Sequence, residues 1–160
     1  MRSERVFVGI GANLGDPKRA VLEAIDALSR LPQTRLVAAS SLYGSAPVAA
    51  VGPDFVNAVA ELQSELEPVG LMHALQAIEQ AGGRKRPYRH APRTLDLDLL
   101  LYGQRTLQTP ELTLPHPRLH ERAFVLQPLL QLDPAIVHPG LGPLQPFLRA
   151  TAAQPIEKLP

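Results

Sequence analysis

The order of strand-like and helix-like segments is the feature that most constrains this fold. Apolar residues that alternate with polar ones indicate strands, and apolar residues three or four positions apart indicate helices. The chain reads β-α-β-β-α-β and then continues into a third amphipathic segment; strands are expected at 5–11, 34–43, 55–66 and around Asp96, and helices after Asp16 and from Pro68. This order predicts an α+β fold of the ferredoxin-like, split-βαβ type: an antiparallel sheet with helices packed on one face and a C-terminal helical extension. The other sheet face is then expected to be free for ligands.

The composition is that of one globular domain. Of the 160 residues, 45% are hydrophobic and 19% are charged, so we expect a single domain over residues 1–160. The absence of cysteine excludes disulfides and thiolate metal sites. The apolar run near the N-terminus is too short for a signal peptide, and no apolar stretch approaches the roughly 18 residues of a membrane span. We therefore expect a cytoplasmic protein without a membrane partner.

Two aspartates interrupt a leucine-rich strand in the stretch PRTLDLDLLLYG, residues 92–103. Side chains alternate along a strand, so Asp96 and Asp98 share one face. Two unpaired carboxylates side by side repel each other, and burying them would cost several kcal/mol. A cation between them removes that cost. Mg²⁺ is commonly held by one or two carboxylates together with substrate phosphates and water, so the pair predicts a magnesium site.

A basic segment, RKRPYRHAPR at residues 84–93, lies just before this strand. It holds five of the 16 Lys and Arg residues and no acidic residue, although the net charge of the chain is only +1. This local concentration indicates an anionic ligand of limited size. Guanidinium groups present hydrogen-bond donors in a geometry that fits phosphate oxygens. Arginines beside a metal-binding pair therefore indicate an enzyme of phosphoryl transfer. A Walker A sequence is absent, which excludes a P-loop enzyme.

Two other motifs are weaker than they first look. GIGANLG, residues 9–15, has one residue too many for a dinucleotide fingerprint and is followed by the wrong topology, so it predicts a tight strand-to-helix turn. His116 and His120 have the spacing of zinc ligands on a helix, but Pro115 and Pro117 flank His116 and a third ligand with sensible spacing is missing. We therefore expect neither NAD nor zinc.

Several stretches together resemble one enzyme family. GRKRPYRHAPRTLDLDLLLYG and LTLPHPRLHERAFVLQPL, with GANLGD and GPDFVNAVAEL, are similar to the 6-hydroxymethyl-7,8-dihydropterin pyrophosphokinases of folate biosynthesis, over nearly the whole chain. The resemblance implies a ferredoxin-like fold. It also implies transfer of the β,γ-diphosphate of ATP to the hydroxymethyl oxygen of the pterin, with release of AMP.

The resemblance further implies which residues form the site. Asp96 and Asp98 would hold two Mg²⁺ ions bound with ATP, and Arg84 and Arg93 would join them as catalytic residues. ATP would contact Gln76, Glu79, Arg84, Arg86, Arg93, Thr113, His116 and Arg122. The pterin would contact Ser45, Ala46, Pro47, Val48, Phe55, Asn57, Asp96 and Phe124, with its ring between the two phenylalanines and its polar edge read by Asn57. We expect a monomer that binds these two small molecules and no nucleic acid.

Three residues depart from the family pattern: His90 replaces a frequent tryptophan, Pro117 replaces an aromatic residue, and Glu111 stands where a basic residue can occur. Two rival functions use the same features. An ordinary kinase or nucleotidyltransferase could use the carboxylate pair, and an RNA-binding ferredoxin-like domain could use the basic segment. The RNA hypothesis lacks an aromatic RNP-like strand, since only 4% of residues are aromatic, and it leaves the aspartate pair unexplained.

Overall fold

A computed structural model describes residues 3–46, 54–83 and 95–160. The strands in these ranges are β1 (Glu4–Ala12), β2 (Thr34–Ala39), β3 (Tyr43–Ser45), β4 (Phe55–Ser64), β5 (Asp96–Tyr102), β6 (Leu107–Gln108), β7 (Thr113–Leu114), β8 (Val137–His138), β9 (Gly142–Pro143) and β10 (Ile156–Lys158). The helices are α1 (Pro17–Ser29), α2 (Pro68–Gly83) and α3 (Ala123–Leu132), with 3₁₀ turns at Leu119–Glu121 and Gln145–Leu148.

The main sheet has the antiparallel order that the sequence predicts. Its central strands are β4 and β1; β5 pairs with the outer side of β1, and both β2 and β3 pair with the outer side of β4. Every pairing in this sheet is antiparallel. The ferredoxin-like, split-βαβ prediction is confirmed.

The two faces of the sheet carry separate parts of the core. Alternation along β1 places Val6, Val8 and Ile10 in the cluster that includes buried residues of α1 and α2. Phe7, one position out of phase, belongs with Val59 to a second cluster that includes the buried residues of α3. The C-terminal extension therefore covers part of the face that was expected to be free. The rest of that face stays open and carries a cavity that is the candidate functional site.

The start of α1 follows from its sequence. Asp16 caps the helix: its Oδ1 accepts a hydrogen bond from the backbone N–H of Arg19 at 3.2 Å. Pro17 is the first helical residue, where its missing N–H costs nothing. Val21 and Leu28 are fully buried, as their helical spacing predicts. Among the residues described above, no helix is long and apolar enough to cross a membrane.

The predicted strand at 34–43 is two strands in the structure. The break lies at Ser40, whose backbone N–H donates to the carbonyl of Val59 while its Oγ accepts from the N–H of the same residue, both at 2.9 Å. The hydroxyl of Ser40 thus takes the place of a backbone carbonyl in the hydrogen bonding to β4. The chain then leaves this pairing and begins β3. This local competition between side chain and backbone leaves no periodic signal in the sequence.

The segment after α3 contributes a strand as well as turns. β10 pairs with β3, so that Ile156 lies opposite Ser45, and it forms the outer edge of the sheet. The sequence pattern predicted only a helical extension here and not this strand. Its three residues follow a proline-rich stretch and are too few to show alternation.

His138 closes the turn between β8 and β9. Its Nδ1 accepts hydrogen bonds from the backbone N–H groups of Gly140 and Leu141, at 2.9 and 3.0 Å. Burial lowers the pKa of His138 below its usual 6.5, and the nearby His120 lowers it further. The folded state therefore favours the neutral imidazole.

This preference predicts a pH dependence of stability. Just below pH 6.5 the unfolded chain binds the proton at residue 138 more strongly than the folded chain, so the free energy of unfolding should decrease as the pH falls through this range. His138→Asn retains an acceptor for the turn but cannot titrate, and its decrease should be smaller. Urea unfolding at several pH values between 5 and 8 measures both slopes. Identical slopes for the two proteins would show that His138 titrates alike in both states.

Candidate active site

Two glycines of β1 form the floor of the open sheet face. Gly9 lies between Asp98 of β5 and Val59 of β4, and Gly11 lies between Asp96 and Asn57. Facing residues of neighbouring strands point to the same side of a sheet, so the missing side chains leave a gap between the aspartates and Asn57. A Cβ atom placed on Gly11 would lie 3.3 Å from the Oδ1 atom of Asn57. Both glycines were expected in the strand at 5–11, with the motif 9–15 read as a strand-to-helix turn, but neither was expected at the site, although glycines at alternate positions of a strand indicate a close approach to a ligand.

A cavity of about 710 Å³ stands on this floor. Its walls come from β3, β4, β5, the segment from Arg118 to Val125 and the residues before β10. The lining residues expected from the sequence are Ser45, Ala46, Phe55, Asn57, Asp96, Asp98, Arg122 and Phe124. The cavity is mostly apolar with a few polar groups, which suits a flat heterocycle.

Asn57 is fixed in this cavity by a buried hydrogen bond. Its Nδ2 donates to the Oγ of Ser45 at 2.7 Å, and the two residues are only 3% and 5% exposed. Because the amide nitrogen is engaged, Oδ1 is the atom of Asn57 that lies above Gly11. The cavity floor therefore presents an acceptor for an N–H donor of a ligand.

This hydrogen bond gives a second prediction. Ser45→Ala removes the acceptor and leaves the buried Nδ2 unsatisfied, so it should lower the free energy of unfolding by about 1–3 kcal/mol. It should also weaken binding of the pterin that the family resemblance implies, since the amide of Asn57 loses its fixed orientation. Urea unfolding and pterin titration measure the two effects, with the exposed Ser3→Ala as the control. Unchanged values for Ser45→Ala would contradict the assigned hydrogen bond.

A second cavity of about 280 Å³ lies on the other side of Asp98. It is lined by residues of α2, β5 and the segment around β7, among them Gln76, Glu79, Glu111, Thr113, His116 and Pro117. Asp98 borders both cavities, whereas Asp96 borders the larger one. Two ligands could therefore meet at the aspartate pair, one from each side.

Glu79 supports the strand that carries the two aspartates. Its Oε2 accepts a hydrogen bond from the backbone N–H of Leu97 at 2.7 Å. Leu97 separates Asp96 from Asp98, and β5 is the last strand of the sheet on this side. The contact holds the segment between the carboxylates to α2. Glu79, expected at the nucleotide, thus borders the smaller cavity and also holds the strand that carries the two aspartates.

His116 lies where the smaller cavity approaches Asp98. Its backbone N–H donates to the carbonyl of Leu100 at 2.9 Å, and its Nδ1 accepts from the N–H of Arg118 at 3.1 Å. Since Nδ1 is an acceptor, the neutral ring carries its proton on Nε2. Burial lowers the pKa of His116; the carboxylate of Asp98 acts in the opposite direction, and Arg122 and Arg118 lower it further. His116 is therefore a neutral donor in the absence of a ligand anion.

The aspartate pair fits magnesium that arrives with a phosphate ligand. Within the described ranges no group of three or more His, Asp or Glu residues could hold a metal by itself. Mg²⁺ requires fewer protein ligands when phosphates and water complete its octahedron. Asp98 is exposed and Asp96 is half-buried, so both can reach an ion in the open part of the site.

Five predicted site residues lie outside the described residues: Pro47, Val48, Arg84, Arg86 and Arg93. Three polar or charged residues that were not predicted from the sequence border the larger cavity: Arg118, Glu121 and Gln154. Arg118 and Glu121 could have been suspected because they stand in the same short segment as His116 and Arg122. No local sequence pattern points to Gln154, since it reaches the cavity only through the long-range pairing of β10 with β3.

Comparisons with known proteins point to one enzyme family. Residues 7–134 match the family model described as 7,8-dihydro-6-hydroxymethylpterin-pyrophosphokinase (HPPK). The chain is 48% identical over 158 residues to a 2-amino-4-hydroxy-6-hydroxymethyldihydropteridine pyrophosphokinase of Pseudomonas aeruginosa, covering 98% of both chains. It is 43% identical over 135 residues to the protein of the same name from Haemophilus influenzae, covering 84% of both.

Two solved structures of longer proteins share the fold. A crystal structure of HPPK-DHPS in complex with substrates matches 94% of this chain with a TM-score of 0.76 at 11% identity. The wild-type HPPK-DHPS of Plasmodium falciparum with pteroate matches 92% with a TM-score of 0.74 at 12% identity. The chain spans 43% and 42% of those proteins, and the likeness shows the fold alone. Taken with the family model and the near relatives, the aspartate strand and its two cavities lead to one conclusion: this chain belongs to the 7,8-dihydro-6-hydroxymethylpterin-pyrophosphokinase family.

Proposed function

We propose that the chain transfers the β,γ-diphosphate of ATP to 6-hydroxymethyl-7,8-dihydropterin at the junction of its two cavities. The hydroxymethyl oxygen attacks the β-phosphorus, the bond from that phosphorus to the α,β-bridging oxygen breaks, and AMP leaves. The hydroxyl proton is released. The observation that carries the proposal is the position of Asp98, which borders both cavities.

In this proposal the larger cavity takes the pterin. Phe55 and Phe124 border it and supply apolar faces for the ring, and the Oδ1 of Asn57 accepts from the polar edge. Ser45, the last residue of β3, and Ala46 border this cavity and are proposed to contribute backbone groups. Pro47 and Val48 are proposed to extend this edge.

The smaller cavity takes the nucleotide. Gln76, Glu79 and Thr113 line it, and His116 offers its Nε2–H to a phosphate oxygen near Asp98. Arg122 borders the larger cavity and is proposed to neutralise charge on the transferred diphosphate. On the family resemblance, Arg84, Arg86 and Arg93 are proposed to bind the phosphates from the basic segment.

Asp96 and Asp98 would hold two Mg²⁺ ions that come with ATP. The ions would supply charge neutralisation around the β-phosphorus and lower the pKa of the attacking alcohol. The carboxylates themselves fix the place where the two ligands meet, and Glu79 fixes the backbone between them. We further propose that the chain acts as a cytoplasmic monomer formed by a single domain over residues 1–160, without nucleic acid.

The nucleotide product tests the reaction directly. The chain is incubated with ATP, Mg²⁺ and 6-hydroxymethyl-7,8-dihydropterin, and nucleotides and pterins are separated by chromatography. One AMP should form for each pterin consumed, and omission of the pterin or addition of EDTA should prevent it. ADP in equal amount to pterin product would indicate an ordinary kinase. Released inorganic diphosphate with AMP attached to the pterin would indicate a nucleotidyltransferase.

A further inference from the structure

Residues at the N-terminus of α3 border the larger cavity. The N-cap residue of this helix does not cap it with its side chain. Arg122, the N-cap residue, has an extended backbone, and in the described part of the chain its side chain makes no capping hydrogen bond. Ala123 follows and is 2% exposed. A buried first-turn N–H needs an acceptor, because an unsatisfied one costs free energy.

Gln154 supplies that acceptor from a distant part of the chain. Its Oε1 accepts from the backbone N–H of Ala123, and its Nε2 donates to the carbonyl of Glu121, both at 2.8 Å. One amide therefore bridges the 3₁₀ turn and the start of α3. Arg122 is the residue between these two anchored positions, and Phe124 comes immediately after them.

The strand β10 fixes Gln154 in turn. Ile156 pairs with Ser45, the residue that orients Asn57, so the segment before β10 passes over the cavity beside β3. Ala153, Gln154 and Pro155 all line the cavity. This segment lies beyond residue 134, where the match to the family model ends. The C-terminal segment thus joins the two opposite walls of the cavity, at β3 and at α3.

We propose that Gln154 is a positioning residue for pterin binding, which acts by holding the Arg122–Phe124 segment over the cavity floor. The inference rests on the proposed function, because it takes the larger cavity as the pterin site. The residues of the smaller cavity come from α2, β5 and the segment around β7, and none of them contacts the amide of Gln154 in the contacts described above. Gln154 should therefore affect the pterin far more than the nucleotide.

The test compares Gln154→Ala and Gln154→Glu in the full chain. The alanine variant loses both hydrogen bonds. The glutamate variant keeps the shape and the acceptor for Ala123 but places a carboxylate oxygen against the carbonyl of Glu121. It therefore separates the effect of the hydrogen bond to Glu121 from the effect of the side-chain volume in the cavity wall. Gln127→Ala is the control, because Gln127 is an exposed glutamine of α3 that borders neither cavity.

Pterin affinity is measured by titration in the presence of Mg²⁺ and the α,β-methylene analogue of ATP, and analogue affinity is measured without pterin. Both Gln154 variants should bind pterin about 5- to 10-fold more weakly, the loss expected for one or two hydrogen bonds. Analogue affinity and the control should change less than about twofold, a free-energy change below about 0.4 kcal/mol.

Three results would overturn the inference. The first is unchanged pterin affinity in both variants. The second is a Gln154→Glu variant whose pterin affinity equals that of the unchanged chain. The third is an equal loss of affinity for pterin and for the ATP analogue, together with a lower urea midpoint. The last would mean that Gln154 only stabilises the fold. Failure of the unchanged chain to make AMP with pterin would contradict the proposed function, and that experiment is separate from these titrations.

Discussion

Asp96→Asn and Asp98→Asn should each lower kcat at least about 100-fold, the effect typical of removing one charge-stabilising group at a reacting centre. Both carboxylates face the gap above Gly9 and Gly11, and Asp98 stands at the junction of the two cavities. Asparagine keeps the shape of each side chain but removes the charge that attracts Mg²⁺. Steady-state assays across a range of Mg²⁺ concentrations measure the loss.

The same two substitutions should not destabilise the fold. Without Mg²⁺ the two carboxylates repel each other, so either substitution should leave the free energy of unfolding unchanged or raise it slightly. Glu157→Gln, at an exposed position of β10, is the matched control and should retain full activity. Near-normal turnover of either aspartate variant at saturating Mg²⁺ would contradict the metal assignment. Loss of folding would instead indicate a structural role for the pair.

Phe124→Ala should weaken pterin binding by about 1–3 kcal/mol, or roughly 5- to 150-fold, since an aromatic face and its buried area are lost. ATP affinity should change less than about twofold, because Phe124 borders only the larger of the two cavities described. The affinities are measured separately by titration.

Phe147→Ala is the control for this substitution. Both phenylalanines are partly buried against the core cluster that includes α3, but Phe147 borders neither cavity. It should lower stability without changing pterin affinity. Equal losses for pterin and ATP in Phe124→Ala would mean that Phe124 serves only as core packing. Phe124→Leu, which retains most of the buried volume, should keep the fold and still lose pterin affinity.

The main elements of the fold could be predicted because each follows a local pattern. Apolar alternation marks Phe55–Ser64, and the capped helical period marks Pro17–Ser29. The short strands at Tyr43–Ser45 and Ile156–Lys158 could not be predicted, since three residues show no period and the pairing partner is remote in the sequence. The covering of the second sheet face by α3 was also missed, because periodicity shows that a helix has an apolar side but not which surface it meets.

The site also has parts that the sequence predicts and parts that only the folded structure determines. The aspartate pair was evident because two charges on a leucine strand demand a partner. The family resemblance then suggested most of the polar residues that border the two cavities. The junction of the cavities at Asp98 depends on the register between Gly9 and the strands on either side, which only the assembled sheet determines. Gln154 depends on a still longer path, through β10 and β3, and no local motif reveals it.

We expect a divalent ion held by the aspartate pair to be close to both the pterin and the nucleotide. This expectation can be tested by replacing Mg²⁺ with paramagnetic Mn²⁺ in a complex with the α,β-methylene analogue of ATP and the pterin. NMR relaxation of the hydroxymethyl protons of the pterin and of the phosphorus nuclei of the analogue is then measured. Mn²⁺ should speed the relaxation of both ligands in the unchanged chain, and the pterin effect should disappear in Asp98→Asn. Fast relaxation of the phosphorus nuclei with unaffected hydroxymethyl protons in the unchanged chain would contradict the account.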